Sequence, residues 1–341
     1  MKQYLDLLRN IIDNGVEKES GRANMPNTIG ISHGVIRMDL QEGFPLLTTK
    51  KMYLKGIIHE LLWILSGNTN IKYLVDNNVN IWNGDAYRWY LKYCEKSLKQ
   101  PPLSKEEFEE VIKITSDINK FDWFPDIKNY SLGDLGKVYG YQWRNQNGVD
   151  QVRDVIEGLR DNPYSRYHII DGWNKSDFKD MALPPCHLLY QFIVRPLTLE
   201  ERNSLTKNPD IGETSKRVLD ECCVPKFYLD LNMYQRSCDT FLGVPFNIAS
   251  MSILLMIFAK VSNMIPGVAT WIGGDTHLYV DHIPMVKEQL TREPFDLPKL
   301  IITKELNNLE DILALTLDDF VLGIYHSHDA IKAELFTGIK K

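Results

Sequence analysis

The sequence predicts an α+β protein built as one domain over residues 1–341. Two observations carry this. Apolar stretches of strand and helix character interleave along the chain without the regular spacing of βαβ units. Nothing in the 341 residues has the composition of a linker or a repeat, and a chain of this length buries a sizeable core.

The elements follow in order. At the N-terminus Tyr4, Leu5, Leu8, Ile11 and Ile12 fall at helical spacing before Gly15. Charges among them and the lack of a small-residue cleavage site argue against a targeting segment. Residues 56–65 read as a mostly buried helix ending at Gly67, and 71–77 as a short amphipathic one. Residues 88–131, rich in Lys, Glu and Tyr, read as an insertion with a surface helix at 105–121. A helix is expected at 149–160, stopped by Asn162-Pro163, and strands at 166–173 and 187–195. Residues 196–226 form a polar elaboration, and 227–234 alternate apolar and polar as a half-buried strand does. Helices are expected at 246–264 and 285–292, and a last strand at 300–303. The longest apolar run, 248–261, is interrupted by Ser250, Ser252 and Lys260, so it reads as a core helix.

Hydrophobic residues make up 44% of the chain and charged ones 25%, as in soluble globular proteins. A net charge of −6 and no long basic tract disfavour a nucleic-acid polymer as partner. There are five cysteines (Cys94, Cys186, Cys222, Cys223 and Cys238). The odd count suggests reduced thiols and a cytoplasmic setting, and no Cys-x-x-Cys suggests zinc.

Two segments carry the chemistry: Ala182–His187, spelled ALPPCH, and residues 235–250, spelled QRSCDTFLGVPFNIAS. A free cysteine is more often a small core residue than a nucleophile. Behind Pro184-Pro185, and with a cation such as Arg236 folded close, the Cys186 thiolate would be favoured and could add to C6 of a pyrimidine. Asn247 stands where a helix N-cap is common. Its amide also offers one donor and one acceptor, the complement of N3–H and O4 of uracil, whereas cytosine would call for an aspartate. Arg236 and Ser237 suit a phosphate, against the ordinary alternative of a surface ion pair. Asp239 either meets a ring N–H or caps a helix. Glu60 lies in an apolar helix, where an unpaired carboxylate is costly, so it is either an acid/base with a raised pKa or sits on a solvated edge. Tyr139 is a core tyrosine or a partner in proton transfer. His277 and Tyr279, two apart, would share a strand face and reach a sugar hydroxyl, or else pack in the core.

In order and local spelling, FPLLTTKK (residues 44–51), HELLWIL, Ile81-Trp82, DLGKVYGYQWR, ALPPCH, QRSCD, LGVPFNIAS and GGDTHLY resemble the thymidylate synthase family to about residue 329, apart from the two insertions. The resemblance implies a mixed β-sheet packed with helices, one sheet face serving a homodimer, and no metal. It implies Cys186 as the nucleophile on dUMP and Asn247 as the reader of uracil. Glu60, Tyr139 and Asp239 complete the catalytic set. Arg236, Ser237, Gln235, Arg22, His277 and Tyr279 contact the nucleotide, and Arg166 reaches the partner's phosphate site. Trp82, Lys50, Asp239, Leu242, Gly243 and Phe246 face the co-substrate 5,10-methylenetetrahydrofolate.

The chain departs from the family in several places. RANMPNT replaces the usual Arg-Thr-Gly-Thr-Gly-Thr loop at 22–28, and Tyr167 replaces the second of two arginines. Asp171-Gly172 replaces Ser-Ala, Lys137 replaces proline, and His328-Asp329 replaces His-Pro. The tail AELFTGIKK is longer than the family's apolar ending. These departures leave two products open: dTMP, favoured as the commoner activity and by the retained Trp82, and 5-hydroxymethyl-dUMP. An inactive dimeric nucleotide-binding homologue is disfavoured by the intact set of Cys186, Glu60, Asn247 and Arg236. A DNA cytosine methyltransferase lacks support, having neither its Gly-rich loop nor a positive face here.

Overall fold

A computed structural model describes residues 1–21, 24–95, 101–115, 130–206 and 216–336. The chain begins with helix α1 (Lys2–Asn14), which buries Tyr4, Leu5, Leu7, Leu8 and Ile11. Three short strands, β1 (Val16–Lys18), β2 (Thr28–Ile31) and β3 (Gly34–Asp39), lead to helices α2 (Leu54–Leu65), α3 (Lys72–Asp76), α4 (Asn83–Cys94) and α5 (Lys105–Ile114). Helices α6 (Tyr139–Asn145) and α7 (Gln151–Asp161) precede strands β4 (Ile169–Asp171) and β5 (His187–Pro196). Helices α8 (Leu199–Ser204) and α9 (Lys216–Glu221) come next. They are followed by strand β6 (Phe227–Asp239), helix α10 (Gly243–Val261) and strand β7 (Ile265–Tyr279). The chain closes with α11 (Ile283–Leu290), β8 (Leu300–Ile302), α12 (Leu309–Leu313) and β9 (Phe320–Leu322).

The α+β class and the mixed sheet are as expected. Seven strands run in the order β1-β2-β7-β6-β5-β4, and β3 also pairs with β7. Among the described residues only β6 and β7 run parallel; the other pairs in this sheet are antiparallel. A parallel neighbour requires a crossover, and α10 supplies it. One sheet face packs on α10. Phe192 of β5 stacks on Phe258 of α10 at 4.6 Å, and both are fully buried. The period of two in β5 and β6 leaves Ile193 and Tyr234 exposed on the opposite face, beside Val35 of β3. Among the described residues α10 alone is long and apolar enough to cross a membrane. It belongs to the core: 72% of its apolar window is buried within the fold.

Differences from expectation have local causes. The strand expected over 166–173 shrinks to β4, because Ser165 N–H bonds Asn162 O and Tyr167 N–H bonds Ser165 Oγ, a turn that carries Arg166 and Tyr167 outward. Helix α10 starts at Gly243, three residues before the expected 246, directly after a turn in which Asp239 Oδ1 accepts the N–H groups of Phe241 and Leu242. Helix α5 ends at Ile114; residues 116–121 of the expected helix lie outside the described residues. Truncating Phe258 to Ala should destabilise the fold by about 3–5 kcal/mol, read from the urea unfolding midpoint at unchanged slope.

Candidate active site

Cys186 lies just before β5, half-buried, and its position is fixed from three sides. Arg236 of β6 donates from Nε to Pro185 O and from Nη2 to Pro184 O, both at 2.8 Å. Its backbone N–H donates to Cys186 O at 2.9 Å. The Cys186 N–H in turn donates to Tyr139 Oη at 2.8 Å. The arginine thus grips the backbone of the loop that carries the thiol. Part of its hydrogen-bonding capacity is already taken by the loop. Trp173, which the sequence reading left out, lies 5.8 Å from the guanidinium.

Tyr139 is brought to the thiol by Gly136. That glycine has φ +73°, and a Cβ there would lie 2.0 Å from Asp180 O. Only glycine lets residues 135–137 run against 180–182, where Lys137 N–H bonds Asp180 O and Ala182 N–H bonds Leu135 O, both at 2.8 Å. Lys137, standing for the family's proline, tightens the same clamp by pairing with Asp177 at 2.7 Å.

Glu60 lies on α2 and accepts from Trp82 Nε1 at 2.8 Å. Burial pushes its carboxyl up to about 7, against the opposing bond from Trp82. Trp82 meets the Tyr139 ring edge-on at 5.6 Å, which connects the carboxyl to the thiol loop. His59 points elsewhere, with Nδ1 2.9 Å from Tyr73 Oη.

Asn247 sits on the first turns of α10. Gln235 Nε2 donates to its Oδ1 at 3.0 Å and also to Ser237 O at 3.1 Å, while Gln235 Oε1 accepts from Trp271 Nε1 at 2.8 Å. Gln235 is therefore buried and committed to orienting Asn247, a role its sequence position did not disclose. His187 is bonded by Asn247, and burial lowers it to about 4, so it is neutral near pH 7. The same ring meets Tyr139 edge-on at 5.6 Å. His187 thus joins the Asn247 wall to the Cys186 wall. The only sequence signal for it was adjacency to the cysteine.

Asp239 spends Oδ1 on the turn described above. Leu242 and Phe246 are half-buried beside it, packed against the core. At Gly243 an added Cβ would come 3.6 Å from both Asn247 Oδ1 and Asp239 Cβ, filling the space between those polar groups. Lys50 turns inward: its ammonium is buried, bonded to Phe241 O at 2.5 Å. His277 and Tyr279 share the end of β7, rings 5.5 Å apart. His277 Nδ1 lies 3.4 Å from Asp275 Oδ1, and the carboxylate also pairs with Lys18 at 2.8 Å; these partners hold Asp275 at about 2. Arg166 is exposed on its turn, apart from the cluster, and Tyr167 is 88% exposed. Arg22 lies outside the described residues.

Cys186 on the loop gripped by Arg236, the half-buried Glu60 carboxyl and the amide of Asn247 are thus linked through Tyr139, Trp82, His187 and Gln235 in a mixed α+β fold, an arrangement suited to an enzyme. The thymidylate synthase family model matches residues 2–337. The chain is 43% identical to thymidylate synthase of Malacoplasma penetrans over 98% of this chain and 99% of that one. It is 44% identical to that of Mycoplasma mobile, with the same coverage. Thymidylate synthase of Mycoplasma pneumoniae is 40% identical, again over 98% and 99%. The chain belongs to the thymidylate synthase family, and its activity is that of this family, a methyl transfer in dTMP biosynthesis. Of the two products open on sequence, the methylated one stands.

Glu60 gives the site a pH signature. Its folded pKa lies above the ordinary 4.5. Below that value the carboxyl is protonated in both states and costs nothing. As pH rises toward 7 the unfolded chain ionises first, so stability falls, and above 7 the loss is complete. Glu60→Gln should therefore be more stable than the parent at about pH 8, by about 2–3 kcal/mol, and equal to it at about pH 4. Urea unfolding at the two pH values checks this.

Proposed function

We propose that one catalytic domain methylates C5 of dUMP, with Cys186 as nucleophile and Asn247 as the reader of the base. The observation that carries this reading is His187, which meets the ring of Tyr139, the residue bonded to the Cys186 amide, and hydrogen-bonds Asn247, so that one side chain connects the two groups. The Cys186 thiolate adds to C6, and the C5=C6 electrons move toward O4 as an enolate. Asn247 donates to O4 from Nδ2 and accepts N3–H at Oδ1, which Gln235 holds in place. Bound 5,10-methylenetetrahydrofolate supplies the one-carbon unit and the hydride. Trp82, Leu242 and Phe246 would flank it, with the gap over Gly243 giving it room and Asp239 facing its ring N–H groups. Glu60, poised near neutrality, exchanges a proton at O4, and ordered water oriented by the Tyr139 hydroxyl takes the C5 proton. Cys186 leaves when the S–C6 bond breaks and the ring double bond re-forms.

Arg236 and Ser237 suit the phosphate, and His277 and Tyr279 the ribose. We assign a homodimer to the outer sheet face that exposes Val35, Ile193 and Tyr234, because an exposed apolar sheet face favours a symmetric partner. The outward turn at Arg166 then serves the partner's phosphate site.

Cys186→Ser should abolish turnover while dUMP binding persists; full activity in that variant would remove the nucleophile. Asn247→Asp should move preference from dUMP toward dCMP by about tenfold or more, because the donor and acceptor pattern reverses. An unchanged ratio of kcat/KM values would assign base reading to another group. Tyr167→Arg should lower the apparent KM for dUMP by about threefold, restoring a cation at the phosphate; an unchanged KM would leave this position outside the site.

A further inference from the structure

The turn at residues 239–242 takes Asp239 out of the sheet and starts the helix that carries Asn247. Thr240 and Phe241 are fully buried, so their peptide groups need partners inside the protein. The N–H groups have local ones. Asp239 Oδ1 accepts from Phe241 and Leu242, each at 3.1 Å, and Thr240 N–H donates to His277 O at 2.8 Å. The two carbonyls are served from far away in sequence. Tyr4 Oη, on α1, donates to Thr240 O at 3.0 Å. Phe241 O would ordinarily receive the N–H four residues on, as a helix begins. That residue is Pro245, which has no N–H to give. Lys50 Nζ occupies the vacant donor position at 2.5 Å from Phe241 O, with its charge 3.8 Å over the Phe241 ring.

We propose that Lys50 is a positioning residue that supplies the hydrogen bond Pro245 cannot, and that Lys50 and Tyr4 together fix the turn on which Asp239 and Asn247 depend. This deepens the reading of the cleft given above and replaces a direct folate contact for Lys50. The side chain is 4% exposed and engaged inside the turn. Burial lowers the ammonium to about 7 while Asp239 nearby supports its charge. Burial, with Asp239 adding to it, raises the Tyr4 phenol, so that hydroxyl stays protonated and remains a donor.

The test compares Lys50→Met, Lys50→Met with Pro245→Ala, and the isosteric Tyr4→Phe in the full chain. Amide hydrogen exchange of the unliganded protein reads the turn without any turnover. The Phe241 and Leu242 N–H groups should exchange about tenfold faster in Lys50→Met and in Tyr4→Phe. Pro245→Ala should restore most of the protection lost in Lys50→Met, because alanine, unlike proline, carries the missing N–H. In steady state, Lys50→Met should raise the KM for methylenetetrahydrofolate by about tenfold and weaken equilibrium binding of dUMP as well, because Asp239 and Asn247 depend on the same turn. A general loss of folding would instead lower kcat at constant KM. Unchanged exchange in Tyr4→Phe overturns the proposal even if Lys50→Met does not fold. A raised KM in Lys50→Met that Pro245→Ala does not relieve also overturns it, and returns Lys50 to direct folate contact. Exchange that follows the expected pattern in a protein that releases no tritium from C5-labelled dUMP upholds the turn and overturns the functional reading alone.

Discussion

Arg236 holds the carbonyl oxygens of Pro184 and Pro185, while its own N–H holds the carbonyl of Cys186. The arginine belongs to β6 and the cysteine precedes β5, so the grip on the cysteine loop is fixed by the same pairing that builds the sheet. Moving that guanidinium would displace the prolines, the thiol and the Tyr139 contact together. The remaining groups of the cleft are arranged around this anchor. Trp82 sets Glu60 against Tyr139, and Gln235 sets Asn247 against His187.

Three ionisable groups around Cys186 and Asn247 are set by desolvation. Glu60, His187 and Lys50 are each shifted by burial toward their uncharged forms. Desolvation of this kind makes proton transfer sensitive to small changes in surroundings, and it strengthens each remaining hydrogen bond. Buried amides and hydroxyls around them hold geometry instead: Trp271 holds Gln235, Gln235 holds Asn247, and Tyr4 holds the turn at Thr240.

Much of this was legible in the sequence, for physical reasons that differ by element. Helix α1 and strands β5 and β6 show clean periods, because each has one buried face. Helix α10 is apolar all round, and it is buried all round. Of strand β7 only the end at His277 and Tyr279 was read as strand: Gly273-Gly274 breaks the pattern before it, and its pairing with β2, β3 and β6 is set by tertiary neighbours. The extended reading of 166–173 failed because a turn after Pro163 overrides local β-propensity. In the site, Cys186, Asn247, Glu60 and Arg236 were readable from residue chemistry in local context. The inward course of Lys50, the commitment of Gln235 and the bridging place of His187 were not, since each depends on a partner distant in the chain.

The parallel pairing of β6 with β7 has a kinetic side. Antiparallel neighbours can zip from a tight turn, but these two strands register only after the intervening helix has been laid across the sheet. Residues on both strand ends and on that helix share the cleft, so a half-assembled sheet holds no competent pocket. Recovery of catalysis during renaturation is then a clock for the slowest long-range closure, and secondary structure can return well ahead of it.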